Sequence, residues 1–288
     1  MKQRLITAFA LLTLVGVLLW QIYTPFFIAV IAVFSAIAAN EIMRCAKITN
    51  KFILIVGTIT AALVPFTASA SILEPIVSTD TWFGVINAVP KVVYAVVVII
   101  AFLMAMLKGY AHTKFEDVAI ATFASLLVPY AFSMFGMLRD LTGYKTQIGI
   151  YLMFYALIAA LATDSGAQLT GMAIGKTKMA PNISPKKTIE GAVGGVIFCI
   201  IMEAVAMVLY NRFAVVGLTA KEATALMVAV PFMSFMGMMG DLASSVLKRN
   251  FGVKDFGKIF PGHGGVMDRM DSSLFTIPLT YCVAIIVF

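Results

Sequence analysis

The chain has 288 residues, 61% of them hydrophobic and only 12% charged, with a mean hydropathy of +0.99. Soluble domains carry about 25% charged and 45–50% apolar residues, so a water-soluble fold could not hide this much apolar surface and lipid must cover the remainder. The net charge of +7 does not point to nucleic acid, because Lys and Arg retained in the cytoplasmic loops between apolar spans account for it.

At the N-terminus, Lys2 and Arg4 precede apolar sequence, and Ala36 to Ala39 offers small residues, as in a secretory signal. Apolar residues nevertheless run from Leu5 to Ala39 with a short break at Gln21 to Pro25, whereas a signal has one apolar core of about 7–15 residues. Two membrane spans fit better. A helix needs about 20 mostly apolar residues to cross the bilayer. Nine stretches meet this, at 5–20, 25–43, 52–72, 91–107, 117–138, 146–170, 189–210, 222–246 and 272–288. Pro65, Pro75 and Pro90 interrupt the third and fourth or their flanks. The expected fold is all-α, a polytopic transmembrane bundle forming a single integral membrane domain over 1–288. Residues 1–145 supply N-terminal spans, and 146–288 the catalytic spans and loops.

Placing the N-terminus inside puts sixteen of the 21 Lys and Arg residues on the cytoplasmic side, leaving Lys91, Arg139, Lys145, Arg212 and Lys221 outside. The inverted arrangement reverses the bias, so a cytoplasmic N-terminus and an outer C-terminus are expected. Two cytoplasmic loops then stand out, at about 171–188 and 247–271. Cys45, Cys199 and Cys282 have no ligand or CxxC spacing, and His112 and His263 are too few for a histidine-based metal centre, so neither a disulfide nor a zinc site is expected.

The stretch DLASSVLKRNFGVKDFGKIFPGHGGVMDRMD, Asp241 to Asp271, holds Asp241, Lys248, Arg249, Lys254, Asp255, Lys258, His263, Asp268, Arg269 and Asp271 in an otherwise nearly uncharged chain. Ionisable groups at the ends of apolar helices are costly unless they face protein, water or an ion, so function is the default reading. Carboxylates from two helix ends suit Mg²⁺, which favours one or two carboxylates together with substrate phosphates. Lys248, Arg249, Lys254, Lys258 and Arg269 can neutralise phosphate oxygens. Pro261 to Gly265 permits unusual backbone angles and close approach to a ligand.

In Ser245, Leu247, Lys248, Arg249, Lys254, Asp255, Gly257, Phe260, Pro261, His263, Gly264, Gly265, Val266, Asp268, Arg269, Met270 and Asp271, this stretch resembles the phosphatidate cytidylyltransferase (CDP-diacylglycerol synthase) family. The upstream Gly240-Asp241 pair fits as well. So does Ser184-Pro185-Lys186-Lys187-Thr188, although Ile189 stands where the family commonly has an aromatic residue. Ser184 or Thr188 can cap the seventh span, whose free N–H groups beside Lys186 and Lys187 make an anion site. Asp164-Ser165-Gly166-Ala167 is read as the end of the sixth span.

The resemblance implies transfer of a cytidylyl group from CTP to phosphatidic acid, giving CDP-diacylglycerol and diphosphate, with Mg²⁺ as cofactor. Asp241, Asp268, Lys248 and Arg249 are the expected catalytic residues, and Asp241, Asp268 and Asp271 the expected metal ligands. Ser184, Lys186, Lys187, Thr188, Lys254, His263, Gly264, Gly265, Arg269 and Asp164 are expected to bind substrate. The expected partners are the two substrates and membrane lipids, with a homodimer left open, at the inner membrane with the active site facing the cytoplasm.

Plainer readings compete. Asp241 and Asp268 could pair with Lys248 or Arg249, Asp271 could simply favour a helix N-terminus, and Lys186, Lys187, Lys254 and Lys258 could anchor the chain at anionic lipid. His263 could be a turn residue and Asp164 a polar pair within the bundle. Gly171, Gly175, Gly191 and Gly195 read as helix packing, and Glu41 and Glu203 are assigned no role. A lipid kinase or another nucleotidyl transfer to a lipid phosphate uses the same loop chemistry. A transporter would carry its charges near the midplane rather than at helix ends.

Overall fold

The computed structural model describes Thr13 and residues 16–68, 91–142, 147–262 and 264–288. The first expected span, the end of the third, Pro75, Pro90, Lys145 and His263 lie wholly or mostly outside them. Among the described residues, seven helices are long and apolar enough to cross a membrane. They are α1 (Pro25–Cys45), α2 (Lys51–Ala68), α3 (Lys91–Lys108), α4 (Phe115–Asp140), α5 (Gln147–Ile174), α6 (Ile189–Phe213) and α7 (Ala220–Asn250). A short turn of helix, α8 (Met267–Met270), and the apolar α9 (Ser273–Val287) follow. At 15 residues α9 is about 22 Å long, shorter than the hydrocarbon core. The protein is an all-α membrane bundle.

Local chemistry fixes the helix ends. Pro25 opens α1, where its missing N–H costs nothing. Asn50 Oδ1 accepts the N–H groups of Phe52 (3.0 Å) and Ile53 (3.4 Å) to start α2. Thr219 and Glu222 form a reciprocal capping box at the start of α7. Of the two expected caps for α6, Thr188 fills the position, its Oγ1 accepting the Gly191 N–H at 3.1 Å.

Three differences from the sequence reading affect the site. First, α5 continues to Ile174, so Asp164 to Ala167 lies inside the helix rather than at its end. The glycines that read as packing explain the extension: Gly171 faces Gly191, and a Cβ on Gly195 would come within 2.8 Å of the Thr163 carbonyl. The α5 and α6 backbones therefore approach closely. Second, part of the expected 171–188 loop is an antiparallel hairpin of β1 (Lys178–Ala180) and β2 (Ser184–Thr188). Third, α7 runs to Asn250 and carries Lys248 and Arg249 as its last turn.

Two compact units can be distinguished. The first comprises Met1–Gly136 and Val253–Arg269, the second Met137–Gly252 and Met270–Phe288. In the first, α1 packs along α2, and both meet the π-helical turn Phe123–Leu127 within α4. In the second, α5 and α6 form the main pair, with α7 and α9 against them. Glu203, in α6, is 0% exposed, and both its carboxylate oxygens lack a hydrogen-bond partner among the described residues.

Candidate active site

In the second unit, ionisable groups from β2, α5, α7 and the turn before α9 converge. Lys187 Nζ, from β2, lies 2.5 Å from Asp241 Oδ2 on α7. Lys248 Nζ, two helical turns beyond Asp241, lies 3.9 Å from Asp271 Oδ2. Asp164 Oδ2, on α5, accepts a hydrogen bond from Ser272 Oγ at 2.9 Å, and Asp164 lies within electrostatic reach of Asp241 and Lys187. The approach of α7 depends on Gly240, where a Cβ would come within 2.7 Å of the Asp271 carbonyl oxygen. The residue before Asp241 thus lets its helix rest on the backbone of Asp271.

Three carboxylates and two ammonium groups leave this cluster short of positive charge. Burial, then the negative charge of Asp241, pushes the Asp271 carboxyl up to about 7. Lys248 and the Ser272 N–H oppose the shift and Asp164 adds to it. Strand geometry separates the adjacent lysines, because successive side chains point to opposite faces. Lys187 is half-buried against Asp241, and Lys186 is exposed. Arg249 is exposed at the end of α7.

In the first unit, the 253–269 segment is held from within. Asp268, 7% exposed, uses Oδ2 to accept the N–H groups of Phe256 (2.8 Å), Gly265 (3.0 Å) and Gly257 (3.4 Å). The Phe260 N–H donates to the Gly264 carbonyl at 2.9 Å, closing a tight turn. Gly262 and Gly264 take φ of 78° and 86° there, as the Pro-Gly-rich run led one to expect. The Cys45 thiol donates to the Phe256 carbonyl at 3.1 Å. Lys254, Lys258 and Arg269 are exposed.

Glu41, given no role by the sequence, is the second organiser of this segment. Also 7% exposed, it accepts the N–H groups of Val266 (3.2 Å) and Met267 (3.0 Å). A Cβ on Gly265 would overlap its carboxylate, so glycine is required for the backbone to come this close. The signal in the sequence was Glu41 itself, because an acid ending an apolar span needs a partner.

Among the described residues no three His, Cys, Asp or Glu side chains form a closed metal-ligand set. The hard carboxylate oxygens of Asp241 and Asp271 nonetheless fit Mg²⁺, which takes one or two carboxylates and completes its shell with phosphate and water. The crowding that raises Asp271 is the kind a divalent cation relieves.

The profile of the Cytidylyltransferase family matches residues 2–287. The phosphatidate cytidylyltransferase of Bacillus subtilis (strain 168) is 33% identical over 289 residues, spanning 98% of this chain and 96% of that protein. Shorter matches reach proteins of the same name in two staphylococci. The one from Staphylococcus aureus (strain COL) is 38% identical over 172 residues, 58% of each chain. The one from Staphylococcus saprophyticus is 41% identical over 137 residues, 47% of this chain and 50% of its own. The Asp241 to Asp271 signature, the gathered carboxylates and lysines, and a match over nearly the whole length agree: the chain belongs to the cytidylyltransferase family.

Proposed function

We propose that the protein transfers a cytidylyl group from CTP to phosphatidic acid, yielding CDP-diacylglycerol and diphosphate. The observation that carries this reading is the pairing of Lys187 with Asp241 and of Lys248 with Asp271. It joins the two sequence elements that resemble the family's motifs, in a chain matching that family over 2–287. An oxygen of the lipid phosphate attacks the α-phosphorus of CTP. A new P–O bond forms, the bond to the bridging oxygen of the β-phosphate breaks, and that oxygen leaves with the diphosphate. The lipid phosphate is already an anion at neutral pH, so no strong general base is needed.

The difficulty is bringing two anions together. Lys187 and Lys248 hold positive charge beside the carboxylates of the second unit, and Arg249, at the end of α7 in that unit, is an exposed cation available to the triphosphate. Lys254 and Arg269, exposed in the first unit, are kept as phosphate-binding candidates from the motif. Asp241 and Asp271 would hold Mg²⁺, with Asp268 kept as a ligand candidate from the motif and Asp164 in support. Mg²⁺, when bound, supplies charge against the phosphate oxygens and the departing diphosphate. Ser272 orients Asp164. Glu41 and Asp268 keep the 253–269 backbone in shape. The proposed topology has nine spans, the N-terminus inside, and both motif loops on the cytoplasmic face, where CTP is available.

Purified protein incubated with phosphatidic acid, Mg²⁺ and CTP labelled at either the α- or the γ-phosphate tests this directly. Lipid-extractable label from the α-position only is expected. Label from the γ-position would identify a lipid kinase, and no lipid label from either would refute the proposal.

A further inference from the structure

The first unit carries a groove that the reaction does not use. It has a volume of about 380 Å³ and lies where α2 begins and α3 ends, a volume within the range of small-ligand sites. Phe52, Ala101, Met104 and Ala105 form its apolar wall, and Asn50 and Lys108 its polar end. Phe52 is 51% and Met104 49% exposed, so the wall opens on the surface that an apolar helix presents to lipid.

The polar end is built, and one of its groups is unspent. Asn50 Nδ2 donates to Thr113 Oγ1 at 3.0 Å, while its Oδ1 is taken by the start of α2. Asn50 therefore ties the turn after α3 to the head of α2 and shapes the groove. Lys108, in the last turn of α3, is exposed and has no carboxylate partner among the described residues. Lys51, also exposed, begins α2 beside Phe52.

From this juxtaposition we infer that the groove binds an anionic glycerophospholipid of the surrounding bilayer. One acyl chain lies along Phe52, Ala101, Met104 and Ala105, and the headgroup phosphate pairs with Lys108. A purely apolar groove would take any lipid tail. The Lys108 ammonium, the cation that lines the groove where α3 stops, makes the site selective for negative headgroups. A lysine near an anionic membrane surface favours such a lipid by about fivefold. Long basic side chains at helix ends reach toward the interface, which puts the ammonium at phosphate depth. None of these residues belongs to the carboxylate–lysine cluster, so the inference stands apart from the proposed reaction.

Native mass spectrometry of the full chain in detergent, with phosphatidylglycerol and phosphatidylcholine of identical acyl chains supplied together, tests it. Retained phosphatidylglycerol should exceed phosphatidylcholine by about fivefold. Lys108→Gln should bring the ratio close to one while some lipid of both kinds remains. Met104→Trp, which fills the groove, should lower retention of both. Turnover and monodispersity should be unchanged in each variant. Equal retention by the parent protein, or a preference that survives Lys108→Gln, would overturn the inference. So would a crosslink through a Met104→Cys variant showing that a second copy of the chain covers the groove. Should Met104→Trp fail to fold, the Lys108→Gln ratio alone decides.

Discussion

Lys186 and Lys187 look equivalent in the sequence and differ in the structure because a strand turns neighbours to opposite faces. Lys187→Ala removes the partner of Asp241 and should lower turnover at least about tenfold, with Lys187→Arg restoring it only in part, because an ammonium and a guanidinium present different geometry. Lys186→Ala should leave most activity. Turnover per correctly inserted molecule checks this, and equal losses at the two positions would contradict the strand assignment. Glu41→Gln weakens two charge-assisted hydrogen bonds from the Val266 and Met267 N–H groups, a cost of about 2 kcal/mol. Both it and Gly265→Ala should expose the 253–269 segment to limited proteolysis and lower turnover. Unchanged cleavage would show that Glu41 does not hold the segment. Asp271 titrates at about 7 in the fold against an ordinary 3.8, so the native state binds the extra proton. Without metal, stability should therefore fall as pH rises from about 4 to about 7. Unfolding temperature in chelator should show this slope, Asp271→Asn should flatten it, and Mg²⁺ should raise its upper end.

At the scale of elements, the long apolar helices were legible because their composition has no other stable use, and the starts of α1 and α6 because a proline and a capping threonine are local chemistry. Three features were not. The β1–β2 hairpin has only three and five residues, and a strand that short leaves little periodicity to read. The extension of α5 from the expected 170 to Ile174 depends on close contact with α6 through glycines, which is a tertiary cause. The last turn of α7, carrying Lys248 and Arg249, is polar, so hydropathy ended the span early. If both motif loops are cytoplasmic, single cysteines replacing Lys178 and Lys258 in a cysteine-free background should label only when the reagent reaches the cytoplasm. Labelling from outside intact cells would contradict the topology.

For the whole molecule, composition dictated a membrane protein and the Asp241 to Asp271 signature dictated the family, since both are properties of residue types at fixed spacing. The division of labour among the signature carboxylates was hidden, because it depends on which backbone N–H groups lie nearby. Asp241 and Asp271 face lysines, whereas Asp268 spends one oxygen on its own loop. The role of Asp241 is decided by transfer of α-labelled cytidylyl to phosphatidic acid by Asp241→Asn at saturating Mg²⁺, per folded molecule. The change keeps side-chain shape and removes one charge. A loss of about 3 kcal/mol of transition-state stabilisation, more than about a hundredfold in turnover, is expected with unfolding temperature maintained. Near-normal transfer by the folded variant would reduce the Lys187–Asp241 contact to a structural ion pair and contradict the active site drawn around it.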